Sequence, residues 1–195
     1  MPDSIVKQWR EAFFKEVQDH AMAAKLKESA LAEALGEWTT ALTAAVVSTC
    51  YQLGWKASAK AHKLELLPVQ RSEYLSLDVV AFPDAAKRWR FPVAVLELEN
   101  QMADNPIAYS LWKVLCVRSD LRMVFCYRRN SKEASSLLRY LRAEVIEAMG
   151  LQGRLKLEGS TVVVVGCRDD AATFPYGFFK WWGLDNNSGK FEQIW

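Results

Sequence analysis

The sequence predicts a mixed α/β domain with helices on both faces of one central sheet. Three observations carry this prediction. Apolar residues recur at helical spacing in several segments, and apolar runs of strand length lie between them. The elements follow the order helix, helix, three strands, helix, strand, helix and a short β section, which suits a layered fold. A chain of 195 residues, 51% apolar and 25% charged, also buries one sizeable core without disulfides or a structural metal. Disorder, collagen-like repeats and disulfide scaffolds are excluded. The chain reads as a single domain over 1–195: an N-terminal helix over 1–28, a core over 29–130, and a helix with a β-hairpin extension over 131–195.

Ser4 is placed to cap a first helix running to about His20, with Val6, Trp9, Phe13 and Val17 on one face. A charged link from Lys25 to Glu28 precedes a longer helix from about Ala30 to Leu53, striped by Leu31, Leu35, Trp38, Leu42, Val46 and Leu53 and capped by Gly54. Trp55 to His62 alternates as a half-exposed strand does, and Pro68 ends the connection after it. Glu73 to Phe82 and Phe91 to Glu99 read as strands, separated by the turn residues Pro83 to Arg88. Asn105, with Pro106 in the first turn, opens a helix to about Arg118, and Leu121 to Tyr127 is a further strand. Asn130 and Glu133 start a helix with Leu137, Leu138, Leu141, Val145 and Met149 on its face, which Gly150 ends. Short strands fit Arg154 to Leu157 and Thr161 to Cys167. The tail, Phe178 to Leu184 and Lys190 to Trp195 across Asp185 to Gly189, reads as a hairpin.

Lys and Arg number 25 against 23 Asp and Glu, so the net charge of +2 exerts no global pull toward nucleic acid or membrane. Cys50, Cys116, Cys126 and Cys167 form no CxxC pair and each lies in an apolar run, which predicts buried free thiols in a reducing compartment. The opening Met1-Pro2-Asp3-Ser4 lacks a secretory pattern, and the uncharged run from Trp38 to Leu53 is too short and too polar to span a bilayer. A cytoplasmic protein without membrane contact is expected. His20 and His62 are isolated, and neither a nucleophile elbow nor a glycine-rich phosphate loop is present, which removes acyl-transfer and nucleotide-cofactor enzymes.

Polar groups appear between Ser72 and Lys113 where the strand pattern calls for core. Asp78 shares a strand face with Tyr74, Ser76 and Val80, while Glu97 and Glu99 share the face of Val93 and Val95. If the two strands pair, these acids gather in one place and repel one another unless a cation or a proton compensates them. Mg²⁺ or Mn²⁺ suits such a set, since a hard cation takes carboxylate and carbonyl oxygens and keeps several waters. The chemistry such an ion supplies, an acidified water and a polarised phosphate, is that of phosphodiester hydrolysis.

In Leu77-Asp78 and Glu97-Leu98-Glu99 the sequence resembles the PD-(D/E)XK nuclease superfamily, over roughly Leu31 to Arg128. The resemblance implies the restriction-endonuclease-like αβββαβ core, with the acids on its second and third strands. It also implies a metal held by Asp78, Glu97 and the main-chain carbonyl of Leu98, with Glu33 or Glu37 as an additional helix carboxylate. The lysine position of the motif holds Glu99. Lys113, on the following helix, is then the candidate for a migrated lysine acting as base and transition-state stabiliser. The literal Pro83-Asp84 is a competing match, set aside because Pro and Asp occur in turns for backbone reasons.

Each residue also has a purely structural reading, as a hydrogen-bonded strand acid for Asp78, a solvated strand end for Glu97 and Glu99, and a snorkelling surface lysine for Lys113. Arg118, Arg122, Arg128, Arg129, Lys132, Arg139 and Arg142 form one basic stretch, and Lys56, Lys60 and Lys63 another, as phosphate contacts or as solvated faces. Phe178, Phe179, Trp181, Trp182, Phe191 and Trp195 are expected to pack the tail on the core or at a subunit interface. The reading is thus a Mg²⁺-dependent endonuclease or exonuclease acting on nucleic acid, with DNA ahead of RNA and a homodimer open. Its rivals are a catalytically inactive relative that binds nucleic acid or protein, and an assembly protein.

Overall fold

Seven strands form one mixed sheet in sequential order, β1 (Trp55–Ala59), β2 (Val79–Pro83), β3 (Ala94–Leu98), β4 (Leu121–Arg128), β5 (Ser160–Cys167), β6 (Phe179–Asp185) and β7 (Lys190–Gln193). The computed structural model describes residues 4–69, 71, 73–85 and 87–194. Among them are six α-helices: α1 (Ser4–Val17), α2 (His20–Leu31), α3 (Leu35–Gln52), α4 (Asp104–Leu115), α5 (Ser131–Leu141) and α6 (Glu147–Leu155). No helix among these residues is long and apolar enough to cross a membrane. Trp195, Ser72, Ala86 and the capping side chain of Ser4 lie outside the described residues.

Strands β3, β4 and β5 are parallel, and every other neighbouring pair is antiparallel. Two crossovers, one through α4 and one through α5 and α6, therefore advance in the same direction across the sheet. Right-handed crossovers of this kind put their helices on one face. The other face is left to the N-terminal helices. Ala94, Leu96, Leu98, Met123 and Phe125 accordingly pack under α1 and α3, while Val95, Val124, Val163 and Val165 pack under α4 and α5. Strands buried on both faces read as unbroken apolar runs, which is why the core strands stand out in the sequence.

The tail forms the expected hairpin of β6 and β7. Its strand β6 pairs with β5 and carries the same sheet onward. Trp181, Phe179 and Phe13 fill the space under α1, with the Phe13 ring 5.1 Å from Phe179 and 5.7 Å from Trp181. Three expectations are corrected. The charged stretch 25–28 lies inside α2, because Leu26 is fully buried and supplies that helix with an inward seam. The long helix expected from Ala30 is broken at Glu33, which adopts a left-handed φ of 54°. Residues 154–157 lie at the end of α6 and just past it rather than forming a strand, while Gly150, at φ 69° and ψ 165°, interrupts the helical segment as expected. Cys50, Cys126 and Cys167 are buried free thiols as expected, whereas Cys116 is exposed.

Phe13→Ala removes a fully buried ring from the centre of this aromatic cluster. A loss of about 3–5 kcal/mol is expected from urea denaturation, and a loss near zero would contradict the packing.

Candidate active site

Val79 pairs with Leu96 and Val80 with Val95, so one step beyond the ladder Asp78 faces Glu97. Val80 and Val95 lie in the α4 layer, and alternation along each strand puts Asp78 and Glu97 on that same face. The approach to Asp78 is unlike the expected strand. Tyr74–Ser76 form a 3₁₀ turn in which Leu75 and Ser76 have left-handed φ values of 59° and 54°. Such backbone is unfavourable for a side chain with a Cβ and persists only where its surroundings hold it. Buried Leu77 and Tyr74 supply that hold, Tyr74 with its hydroxyl donating to Leu64 O at 3.3 Å.

Asp78 Oδ2 accepts the Leu98 N–H at 2.7 Å, extending the β2–β3 ladder by a side chain. Glu97 is 4% exposed. Its Oε1 lies 2.8 Å from Lys113 Nζ, and its Oε2 faces Ser110 Oγ at 3.3 Å. Ser110 and Lys113 are three residues apart on α4 and so share a helix face. The Lys113 ammonium also lies 5.7 Å from the Tyr109 ring centre. Burial pushes the Glu97 carboxyl up to about 6, the Asp78 charge adds to this, and Lys113 opposes both. Desolvation wins this balance: one ammonium does not fully compensate a carboxylate so deep.

The structure thus brings together Asp78, Glu97 and Lys113. Glu99 stands at the edge of this group: its Oε1 accepts the Gln101 N–H at 2.8 Å, and its Oε2 lies 3.5 Å from Ser110 Oγ. Ser110 went unread in the sequence, although a buried polar residue between Ile107, Leu111 and Val114 of an apolar helix face is a recognisable signal. The helix carboxylates are not part of the cluster. Helix α3 covers the opposite face of the sheet, Glu37 sits in its first turn, and Glu33 pairs with Arg168. Asp84 lies at the far end of β2 and meets Lys56 at 4.0 Å, about 20 Å of strand away from Asp78.

The first basic stretch does not form one surface. Arg118 precedes β4 and Arg122 lies at its start, whereas Arg128 and Arg129 lie at its other end, with Arg122 and Arg128 roughly 20 Å apart along the strand. Arg122 is buried and donates to Val117 O at 2.9 Å and Glu158 O at 2.7 Å, a structural role. Arg128 is buried against Asp104 and Tyr127 O. Phe178, Phe179, Trp181 and Trp182 are buried in the two cores and pack the tail on the sheet. A separate cavity of about 400 Å³ is lined by Trp38, Tyr127, Arg168 and Phe178, but not by Asp78, Glu97 or Lys113.

A divalent cation can be weighed against these donors. In a strand the N–H and C=O of one residue point to the same side, so the Leu98 carbonyl lies on the side from which Asp78 receives the Leu98 N–H. Asp78, Glu97 and this carbonyl make an oxygen-only set, sufficient for an ion that uses one or two carboxylates and keeps its waters. Among the described residues no group of three or more His, Cys, Asp or Glu side chains is placed to hold a metal ion, so an all-protein cage does not form here. In donor chemistry alone, these oxygen ligands suit a Mg²⁺-like ion that keeps most of its waters. Compared with protein-family models, curated proteins and solved structures, the chain matches none.

The raised Glu97 value has a consequence for stability. A carboxyl whose folded value near 6 exceeds its ordinary value of 4.5 binds more protons in the folded state, so stability falls as pH rises between these values. Over this window the fall attributable to Glu97 is about 2 kcal/mol. Glu97→Gln is expected to flatten that part of the stability–pH curve, and Lys113→Met to move the Glu97 midpoint upward in a carboxyl NMR titration. A midpoint in the ordinary glutamate range that ignores Lys113 would contradict this geometry.

Proposed function

We propose that the chain is a divalent-metal-dependent nuclease whose centre is formed by Asp78, Glu97 and Lys113. The observation that carries this reading is the 2.8 Å contact between Lys113 Nζ and Glu97 Oε1, a lysine delivered from the helix after the motif to a position beside the acids. The element order α3, β1, β2, β3, α4, β4 also follows the αβββαβ order that the resemblance to PD-(D/E)XK nucleases implies. Asp78, Glu97 and the Leu98 carbonyl are the proposed holders of Mg²⁺ or Mn²⁺. Bound there, the ion would make a water easier to deprotonate and a phosphate more electrophilic.

The chain's own residues have separable tasks in this reading. The Leu98 N–H fixes the Asp78 carboxylate, and Ser110 faces the second oxygen of Glu97. Lys113 carries positive charge to the place where negative charge accumulates on the phosphate, the most effective position for a preorganised cation. Glu99 stands in for the usual lysine and orients water at the rim. The partner is nucleic acid, with DNA preferred.

A second reading, a catalytically inactive relative that binds nucleic acid or protein, is favoured by one observation: Glu99 occupies the motif's lysine position and is tied to Gln101. The two readings part in a cleavage assay on mixed DNA and RNA with Mg²⁺ or Mn²⁺. The nuclease reading expects metal-dependent cleavage, abolished by Asp78→Asn or Glu97→Gln in folded protein and lowered roughly 100-fold or more by Lys113→Met. Cleavage retained in both acid variants would overturn the site.

A further inference from the structure

The turn joining β2 to β3 contains Lys87-Arg88-Trp89-Arg90-Phe91, three cations and two aromatic rings without an acid. Trp89 is 66% exposed and Phe91 82%. Among the described residues neither ring meets another ring, and no ion pair engages Lys87, Arg88 or Arg90. The turn is nonetheless built: Arg90 Nε donates to Lys87 O at 3.1 Å. The acid nearest in sequence, Asp84, is paired with Lys56 of β1, which is opposite Phe82 at this end of the sheet. The tip therefore presents an excess of positive charge around two rings that the fold leaves in water.

We propose that this tip binds single-stranded nucleic acid, with Lys87, Arg88 and Arg90 on phosphates and Trp89 and Phe91 stacked on bases. A single strand alternates anionic groups with open aromatic faces, and the segment alternates cations with rings. In a duplex the base faces are already stacked on one another. A lipid surface fits less well, because Trp89 lies between Arg88 and Arg90, and sinking it into hydrocarbon brings guanidinium groups along at high cost. The choice of nucleic acid among polyanions rests on the nuclease reading above. The tip lies at the end of β2 and β3 opposite Asp78 and Glu97, so it grips the substrate away from the cutting centre.

The test uses the full chain carrying Glu97→Gln, in EDTA, with a fluorescent oligothymidylate and anisotropy as readout, so that neither metal nor cleavage enters. Saturable binding is expected, weakened roughly tenfold or more when Trp89→Ala and Phe91→Ala are combined. Lys87→Ala with Arg88→Ala should reduce the slope of log affinity against log salt by about 0.7 for each phosphate that is no longer neutralised. All four positions are exposed, and circular dichroism verifies that both double variants fold. Absence of oligothymidylate binding, affinity indifferent to the rings, or binding only to duplex or to phosphatidylserine vesicles would overturn the proposal. Ring-dependent binding in a protein that never cleaves overturns the nuclease reading alone. Cleavage with ring-independent binding overturns the tip alone.

Discussion

Glu97 is a carboxylate inside the α4 layer of the protein, and much of the local structure follows from keeping it there. An ion drawn out of water loses several kcal/mol of solvation, which only a partner of opposite charge and further hydrogen bonds offset. Lys113 is that partner, and reaching it fixes the rotation of α4 on the sheet. With Ile107, Leu111 and Val114 turned inward, Ser110 and Lys113 come to the flank that meets β3. The match is incomplete, since burial still drives the Glu97 carboxyl up to about 6. An added positive charge at this point would stabilise the charged form.

The remainder of the fold serves to hold Asp78 against this buried acid. Antiparallel β2 and β3 set the register that makes residues 78 and 97 opposite neighbours. The parallel neighbour β4 receives the chain only after α4 has crossed the sheet, so the crossover that closes the β3–β4 pair also carries Lys113 to the acids. Leu75 and Ser76 hold left-handed backbone just before Asp78, which re-aims the chain so that the Asp78 carboxylate can take the Leu98 N–H. The two halves of the site are consequently fixed by the sheet, and the lysine by a helix, with no long loop among them.

The architecture was legible wherever burial imposed a pattern. Apolar runs such as 121–127 and 161–167 marked strands covered on both faces, and Asn130 with Glu133 marked the start of α5, where Asn130 Oδ1 accepts the Glu133 N–H at 3.0 Å. Failures occurred where local composition and tertiary contact disagree. The Lys25-Leu26-Lys27-Glu28 stretch is mostly charged, yet one buried leucine is enough to seat it as helix against α3. The break at Glu33 has neither Gly nor Pro to announce it. Residues 73–76 alternate as a strand would, and only their packing makes them a turn. In the site, Asp78 and Glu97 are legible because polar groups stand where core is due, whereas Lys113 is offered only by the resemblance and its place on the following helix. Ser110 is a buried polar residue on an otherwise apolar face of α4, to which alternation along the strands does not point, and Glu99 turns to the edge of the group because alternation fixes a face but not a side-chain direction.

The central claim is that Asp78 and Glu97 form an incompletely neutralised oxygen site. Isothermal titration of the folded chain with Mn²⁺, beside the Glu97→Gln variant, tests it most directly. One saturable site is expected, weakening as pH falls through about 6, where Glu97 takes up its proton, and absent from the variant. A folded wild type that binds no Mn²⁺, or a variant that binds it equally well, would contradict the claim.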